Sequence, residues 1–428
     1  MYLARGFLFE MEKGFHLPLD SSGLKGKRTN KCEGETFNPS CFLEVVIVKS
    51  KMRNRWNILS WISLGLVFGG MCLYLLLNPN RTGVVPNYRF ASQHWWMLKS
   101  MYPGGTHGYL YLPQFAVLFS PIDWIQPPVL GEMVWRAFGF GLLGWALWKL
   151  AQLLEVQDVG IGAHARSYFY LVFLAVPASL ASINNGQTNL PLSACLVLVA
   201  VGLMKERWWA VSVLLTLCVI LKPIALASWL LAFAVFPKMR IPLGMMVIPL
   251  VGIGFLNPNP GYAWSQWLEF ADKCFRSYNP ENLRVSDLFG MLDKWGILSP
   301  AWLASSVRAI ACLAALLFVG FRTKKMGIQE GAWALWVGSV LVLTIFNPRV
   351  ETNSYVLISP LLAFAAVGYS RAVEGERWKG AILAIACIGF MCDGMGKPIY
   401  RATDVWLKPL IVLLVSPFLF RMPKSWRA

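Results

Sequence analysis

The sequence predicts an all-α, polytopic helical membrane protein, a bundle of about 12 transmembrane helices with both termini in the cytoplasm. Two observations predict this class: 56% of the 428 residues are hydrophobic, and only 14% are charged. A soluble chain of this length does not bury so much apolar surface. The apolar residues also fall into runs of about 20, the length that crosses a bilayer as a helix.

Apolar length separates ten clear candidate spans from two ambiguous regions. The clear spans are 57–77, 128–150, 165–183, 187–204, 241–256, 300–321, 330–347, 353–371, 378–393 and 404–421. The run at 109–125 is short and broken by two prolines, so it fits either a short span or a re-entrant segment. The run at 208–237 is interrupted by Lys222-Pro223 and fits one long helix or a hairpin of two. Twelve spans result if 109–125 is re-entrant and 208–237 a hairpin, or if each crosses once; we favour the first.

Basic residues orient this bundle. The net charge is +17, from 39 basic and 22 acidic side chains, and in a membrane protein such an excess marks cytoplasmic loops. It therefore does not predict a nucleic-acid partner. The clusters that mark the inside are Lys49, Lys51, Arg53 and Arg55, then Arg322, Lys324 and Lys325, and finally Arg421, Lys424 and Arg427. Both termini are then cytoplasmic, and the number of spans is even.

Residues 1–50 differ from the rest of the chain. They are polar and mixed in charge, without a membrane-length apolar run, and we expect a disordered cytoplasmic tail there. Met52 directly precedes the basic flank of the first span, which suggests that the tail is an over-extended gene start. Residues 51–428 are expected to form a single integral membrane domain. Nine cysteines show no CxxC and no metal-ligand spacing, so neither a metal nor another cofactor is predicted.

Several polar groups lie where a membrane would penalise them. The loop 78–106 is rich in aromatic and basic side chains and contains no Asp or Glu, and a tyrosine-rich stretch follows it at 109–113. A polar turn, 184–189, joins two apolar spans, and Lys222 lies deep in an apolar run. A lysine there is costly unless it faces a cavity, a counter-ion or a phosphate. The motif 347–355 brings Arg349 and Glu351 to the next outward-facing loop.

Each of these groups also has a purely structural interpretation. In this interpretation the amides of the turn 184–189 form hydrogen bonds with the unpaired groups at helix ends. The Lys222 side chain extends to the membrane interface. Arg349 and Glu351 form an ion pair with each other. In the loop 257–299, helical spacing predicts an amphipathic helix over 263–276, which either covers a substrate cleft or anchors the bundle at the membrane surface.

Two of these motifs resemble glycosyltransferase family 87, a family of mannosyltransferase-like membrane proteins. The first is Tyr109-Leu-Tyr111-Leu-Pro113 followed by the apolar stretch 115–121. The second is Asn-Gly-Gln-Thr-Asn at 185–189, followed by two apolar helices and Leu-Lys-Pro at 221–223. The order and spacing agree over roughly residues 57–370. The resemblance implies a GT-C bundle whose site opens on the extracytoplasmic face and whose donor is a polyprenyl-phosphate sugar. A nucleotide-sugar site is then not required, and the sequence contains no P-loop or Rossmann fingerprint.

Inverting transfer from a lipid phosphate requires a base for the acceptor hydroxyl, positive or amide groups for the departing phosphate, and an apolar groove for the prenyl chain. The resemblance implies an Asp as base in the first outer loop, and Asn87 stands nearest that place, although an amide takes no proton at neutral pH. His94, His107 and Glu351 are alternative bases. We predict Arg89, Lys222 and Arg349 as phosphate ligands, and Tyr109, Tyr111, Gln187 and Asn189 as donor or sugar ligands.

The sequence therefore predicts a glycosyltransferase of a bacterial inner membrane. It would move a hexose such as mannose, or a pentose, from a polyprenyl-phosphate donor to a lipid or glycan acceptor outside the cytoplasm, surrounded by membrane lipids. The main rival is a non-catalytic relative or a transporter that binds or flips a lipid-linked sugar. A transporter is expected to show paired broken helices in two related halves, and no such repeat is visible. A structural scaffold, the third hypothesis, leaves Lys222 and the polar turn unexplained.

Overall fold

A computed structural model describes residues 39–78, 83–105, 107–155, 163–277, 285–372 and 374–423. Within these ranges the chain forms α-helices and short 3₁₀ turns and contains no strand. The chain divides into two units, Met1–Val48 and Lys49–Ala428, and the following description concerns the second. Most of the tail predicted at 1–50 lies outside the described residues, so the tail and the alternative gene start stay predictions.

The helices are numbered in chain order. The first nine are α1 (Pro39–Leu77), α2 (Val85–Trp96), α3 (Pro113–Asp123), α4 (Pro128–Glu155), α5 (Ala163–Ala175), α6 (Leu180–Asn185), α7 (Asn189–Met204), α8 (Trp208–Leu221) and α9 (Leu226–Val235). The next nine are α10 (Arg240–Ile253), α11 (Pro260–Arg276), α12 (Leu288–Lys294), α13 (Ala301–Met326), α14 (Ile328–Ile345), α15 (Ser359–Ser370), α16 (Arg377–Gly389), α17 (Lys397–Thr403) and α18 (Leu407–Leu419). The 3₁₀ turns include Pro223–Ala225, Pro237–Met239 and Thr352–Leu357.

Five helical segments of the described chain are long and apolar enough to cross a membrane. They are Arg55–Leu77, Pro128–Leu154, His164–Asn185, Ala301–Met326 and Ile328–Ile345. Four shorter helices, α7, α8, α15 and α18, are also apolar. Large apolar side chains are exposed along the first and fourth segments, as lipid-facing helices require. The all-α membrane class is confirmed, whereas the count of 12 spans and the cytoplasmic termini stay predictions.

The first ambiguous region contains a short helix, and the second contains a helix with a break. Helix α3 has 11 residues, a length of about 16 Å that reaches roughly half-way across the hydrocarbon core, which favours the re-entrant alternative for 109–125. In the second region, α8 ends at Leu221 and Lys222 is extended, with φ −158° and ψ 111°. An extended residue before proline is the expected consequence of the Pro223 ring. A second break bends Pro223–Val235 against Pro237–Ile253 by 117°, near the boundary between the regions 208–237 and 241–256.

Helix α7 lies at the centre of the bundle. Its sequence from Asn189 to Met204 carries no charge, and every residue up to Leu203 is buried. A helix that is apolar on all sides belongs in the interior. It packs against α4, α8 and α14, and small residues allow close approach: a Cβ on Gly202 would lie 2.7 Å from Val211 of α8. The polar amino-terminal end of this buried helix is where the candidate site forms.

The amphipathic helix predicted at 263–276 is present as α11. One face exposes Trp264, Leu268 and Phe275, and the other buries Gln266 and Lys273 against the rest of the protein. Lys273 Nζ donates to the carbonyl oxygens of Pro103 and Gly105 at 2.9 and 2.8 Å. The Gln266 side chain accepts from the Met101 N–H at 2.9 Å. The buried face of α11 is thus joined to the loop that precedes the tyrosine motif.

Candidate functional site

The turn between α6 and α7 is shaped by Gly186. This residue has a left-handed φ of 63°, which glycine adopts without the steric cost of a Cβ. The Gln187 N–H donates to the Ser182 carbonyl at 3.1 Å and closes the last turn of α6, as glycine caps commonly do. The chain then reverses, and α7 begins at Asn189. Gln187 and Asn189 therefore lie at the buried amino-terminal end of the central helix.

Helix α4 holds the backbone of this turn. Trp135 Nε1 donates to the Gly186 carbonyl at 2.8 Å. Arg136 donates to the carbonyls of Ile183 and Asn184 at 3.1 and 3.0 Å and forms a buried ion pair with Glu132 at 3.0 Å. The carbonyl end of α6 is therefore satisfied by α4, so the side-chain amides of Gln187 and Asn189 are not needed there.

The 3₁₀ turn Thr352–Leu357 is fixed beside α6 and α7 by buried hydroxyl groups. Ser182 Oγ donates to the Asn353 carbonyl at 2.6 Å, and Ser193 Oγ donates to the Val356 carbonyl at 2.8 Å. These bonds join two segments that are about 160 residues or more apart in sequence. As a result, Glu351 and Asn353 lie against the polar turn 184–189.

A network of side-chain amides surrounds one oxygen of Glu351. Oε2 accepts from Gln187 Nε2 at 2.8 Å and from Asn353 Nδ2 at 2.9 Å. Asn189 Nδ2 lies 2.5 Å from Gln187 Oε1, 3.2 Å from Asn353 Oδ1 and 3.2 Å from Ser354 Oγ. The residue Glu351 is exposed, whereas Gln187, Asn189 and Asn353 are buried. The hydrogen-bonded amides therefore hold the Glu351 carboxylate in a fixed position at the surface.

Lys222 joins this network from the break between α8 and α9. Its Nζ donates to Asn189 Oδ1 at 2.8 Å. It also lies near enough to Glu351 for a favourable Coulomb interaction, and near enough to Arg349 for an unfavourable one. Because an isolated charge in an apolar run is costly, the amide and carboxylate neighbours explain how the lysine is accommodated. The site therefore holds at least one ammonium group and one carboxylate around a buried amide.

Arg349 contributes a second positive charge. One guanidinium nitrogen donates to the Ser277 carbonyl, which follows α11, at 2.7 Å, and the backbone N–H donates to Asn347 Oδ1 at 3.2 Å. Burial lowers the pKa of Arg349, and the neighbouring Glu351 carboxylate opposes that shift. The side chain nevertheless stays protonated at physiological pH, since arginine ionises far above it. Arg349 therefore connects α11 with the amide network and adds positive charge beside it.

The two tyrosines of the predicted motif have different surroundings. Tyr111 OH lies 3.0 Å from Tyr88 OH and accepts from Thr188 Oγ1 at 3.4 Å. A tyrosine hydroxyl is neutral at physiological pH, so Tyr111 is a neutral donor or acceptor beside the polar turn. Tyr109 is buried, and its hydroxyl donates to the Leu112 carbonyl at 3.0 Å. The structure therefore brings Tyr111 into the site and uses Tyr109 to shape the segment that carries it.

Arg89, predicted as a phosphate ligand, lies in a different group of contacts. Its Nε pairs with Asp123 Oδ1 at 2.9 Å, and its NH2 donates to the Asp123 carbonyl at 2.7 Å. Gln93 donates to the same carboxylate oxygen at 3.1 Å. Asp123 is the first acidic residue after the acid-free loop 78–106. These contacts join α2 to the end of α3, and none of the described ones connects Arg89 with Lys222 or Arg349.

Three predicted catalytic residues do not join the amide network through any described contact. Asn87 is exposed at the start of α2, directly before the buried Tyr88. His94 Nδ1 lies 2.7 Å from the Ser100 carbonyl, and its ring packs on Phe90. His107 is exposed. Of the four predicted catalytic residues, Glu351 is the one that the described contacts unite with predicted donor ligands. The roles of all four stay predictions.

A cavity of about 550 Å³ opens beside Glu351. Its lining includes Glu351 and Asn353 from the network and also Asn184, Asn185, Thr352, Asp393 and Asp404. Lys408, which is buried, forms an ion pair with Asp393 and donates to the Thr352 carbonyl at 3.0 Å. The described lining contains three carboxylates and no lysine or arginine. In the described part of the chain, no group of three or more His, Cys, Asp and Glu side chains has a metal-binding arrangement.

Sequence analysis missed several members of this site. Asn353 and Ser354 complete the amide network, and Thr188 donates to Tyr111, yet they stood in the sequence only as parts of motifs. The spacing Glu351-Thr-Asn353 was the available signal, because the amide lies two residues after the carboxylate to which it donates. Asp393, Asp404 and Lys408 gave no signal, since they lie in segments that were counted as ordinary spans or connections.

The fold and site define an integral membrane protein with a polar cluster held at the end of a buried helix. The family model for glycosyltransferase family 87 matches residues 109–325, about half of the chain. The chain belongs to glycosyltransferase family 87, so the predicted family is confirmed and the protein is a membrane glycosyltransferase. The matched range contains Tyr109, Tyr111, Gln187, Asn189 and Lys222. No curated protein and no solved structure matches the chain.

Proposed function

We propose that the protein transfers a hexose such as mannose, or a pentose, from a polyprenyl-phosphate donor to a lipid or glycan acceptor. The reaction takes place on the extracytoplasmic face of a bacterial inner membrane, in a GT-C bundle. The observation that carries the proposal is the carboxylate of Glu351, which accepts hydrogen bonds from Gln187 and Asn353 and has Lys222 and Arg349 nearby. Membership of the family supports sugar transfer as the reaction.

Glu351 is the base in this proposal. Its two described hydrogen bonds fall on Oε2, which fixes the carboxylate orientation. As the acceptor hydroxyl attacks the anomeric carbon of the donor, its proton passes to the carboxylate. The bond between the anomeric carbon and the phosphate oxygen breaks, and its electron pair leaves with the polyprenyl phosphate. Inversion at the anomeric carbon follows from this single displacement.

Lys222 and Arg349 stabilise the departing phosphate. Negative charge develops on the leaving oxygen during the displacement, and fixed positive groups stabilise such charge most effectively where water is scarce. Lys222 is held by a hydrogen bond to Asn189, so its ammonium group is positioned before the donor binds. Tyr111 and Gln187 contact donor hydroxyls in this proposal.

The experiment is a donor panel. Purified protein in nanodiscs is incubated with a glycolipid extract that supplies acceptor hydroxyls and with polyprenyl-phosphate mannose, glucose, galactose or arabinose, and free polyprenyl phosphate is measured. Release from one of these donors, lowered at least 100-fold in Glu351→Gln, is expected, because removal of a catalytic base costs about 10²–10⁴-fold. Glu206→Gln is the matched control. Glu206 is an exposed glutamate paired with Lys238 beyond the opposite end of α7, roughly 24 Å along that helix.

Two other results have distinct meanings. Donor binding without release from any donor would favour the non-catalytic or transporter rival. Full activity of Glu351→Gln, with a 100-fold loss in His94→Gln or His107→Gln, would move the base to the first loop and overturn the role of Glu351.

A further inference from the structure

The cavity beside Glu351 has a charge character different from that of the amide network. Glu351 and Asn353 line the cavity, whereas Lys222 and Arg349 are absent from its described lining. Two more carboxylates, Asp393 and Asp404, lie on its wall, and Asp393 is paired with the buried Lys408. Glu351 thus stands between a region with two positive side chains and a cavity whose described lining carries carboxylates and no lysine or arginine. An anion is attracted to the first region, whereas the lining of the second gives it no positive partner.

The other polar groups of the cavity suit hydroxyl groups. Asn184, Asn185 and Asn353 present amides that both donate and accept, and Thr352 presents a hydroxyl. Carboxylates accept hydrogen bonds from alcohols without requiring a positive partner. A volume of about 550 Å³ falls within the range of about 300–1,000 Å³ that small-molecule sites occupy. These features describe a site for a neutral, polyhydroxylated ligand.

The surroundings of Asp393 support a site with fixed geometry. Lys408 pairs with Asp393 and holds the Thr352 carbonyl at 3.0 Å, so the wall of the cavity is joined to the residue that follows Glu351. Ser286 Oγ donates to the Asp404 carbonyl at 2.8 Å. Hydrogen bonds and an ion pair between several segments keep the amides and carboxylates of this wall in place before a ligand binds. A preformed wall lowers the entropy cost of binding.

We infer that this cavity binds the acceptor, and that the acceptor group it takes is a neutral sugar unit rather than an anionic headgroup. The inference rests on the proposed function, since it assigns the acceptor to the same site. A sugar hydroxyl in the cavity reaches Glu351 from the acidic side, while the donor phosphate lies toward Lys222 and Arg349. Because the two regions differ in charge, the donor phosphate binds in the first region and the acceptor hydroxyl binds in the cavity.

Equilibrium dialysis of the full-length protein in nanodiscs tests the inference without catalysis. The probes are a neutral mannose disaccharide and its 6-phosphate. The neutral probe is expected to bind at least tenfold more tightly, because the phosphate must approach the cavity carboxylates. Asn184→Leu and Thr352→Val should each weaken binding of the neutral probe about tenfold, the effect of a lost hydrogen bond. Asn184→Lys should bring the phosphorylated probe to equal or tighter binding.

Lys238→Met is the matched control, because it removes an exposed lysine that pairs with Glu206 and is absent from the described cavity lining. It should leave the Kd of the neutral probe unchanged. Equal or tighter binding of the 6-phosphate to the unmodified protein would overturn the inference, as would unchanged Kd values in both Asn184→Leu and Thr352→Val. Binding of the neutral probe without turnover of any donor would support the cavity assignment and contradict the proposed transfer, so the two failures are distinguishable.

Discussion

Lys222 Nζ and Asn189 Oδ1 lie 2.8 Å apart and join a break in one apolar helix to the first residue of the central one. Asn189 also donates from Nδ2 toward Gln187, Asn353 and Ser354. The amide oxygen of Asn189 thus accepts from a cation, and the amide nitrogen faces polar acceptors. These contacts link Lys222 through Asn189 and Gln187 to Glu351, so the site is one connected network.

Lys222→Met is expected to raise the donor KM by roughly 10- to 100-fold. A hydrogen bond to a charged group contributes about 1.5–3 kcal/mol, and the variant removes the positive charge from the proposed phosphate region. Lys222→Arg should retain part of the affinity, because it keeps the charge. Steady-state kinetics of polyprenyl phosphate release provide the measurement. Lys238→Met, which removes an exposed lysine from a surface pair, is the matched control, and an equal KM in Lys222→Met would contradict the assignment.

Arg136→Met is expected to destabilise the protein by about 3–5 kcal/mol, because it leaves the buried Glu132 carboxylate without its partner. The carbonyls of Ile183 and Asn184 also lose their donor. The double variant Arg136→Met/Glu132→Leu removes the unpaired charge and should recover part of that loss. Thermal unfolding in detergent, followed by tryptophan fluorescence, compares the variants. Equal Tm values for the single and double variants would show that the unpaired carboxylate is not the cause.

Gly186→Ala is expected to reduce both stability and activity. The residue has a φ of 63°, a conformation that costs an L-residue about 1–2 kcal/mol, and an added Cβ would collide with Val85. The shifted turn would carry Gln187 away from Glu351. Gly141→Ala is the matched control, since it lies in the α4 helix with open space at its Cβ position. A Tm and a donor kcat equal to those of the control would contradict the proposed constraint.

Lys273→Met is expected to loosen the contact between α11 and the loop that precedes the tyrosine motif. Its Nζ donates to the carbonyls of Pro103 and Gly105, and their loss should cost about 1.5–3 kcal/mol locally. Faster hydrogen–deuterium exchange in residues 97–105 and in α11 is the expected result. Lys294→Met on α12, which removes an exposed lysine, should leave that exchange unchanged. Unchanged exchange in Lys273→Met would show that the helix is held by its apolar contacts alone.

Much of the architecture followed from local sequence. Apolar runs predicted the helical membrane class, Lys222-Pro223 predicted a break, and the spacing at 263–276 predicted the amphipathic helix now seen as α11. Each of these features depends on residues close in the chain, because helix formation and proline restriction act locally. A boundary between 208–237 and 241–256 was also predicted, and the structure shows a bend of 117° near it.

The site was less accessible to prediction. Gln187, Asn189, Lys222 and Glu351 were predicted separately, and the structure joins them by direct hydrogen bonds or electrostatic proximity. Arg89 was predicted for the same phosphate, yet it lies with Asp123 in the contact between α2 and α3. A positive side chain looks alike in sequence whether it faces a ligand or a carboxylate 34 residues away.

The sequence by itself determined the class of the protein, its family and the chemical types present in the site. These depend on composition, on short motifs and on the spacing within single helices. Only the tertiary structure decided that Glu351 receives the amides of the turn 184–189 and that an acidic cavity opens beside it. The physical reason is that those contacts join segments more than 150 residues apart. Their meeting depends on how α4, α6, α7 and the turn Thr352–Leu357 pack, which no local pattern encodes.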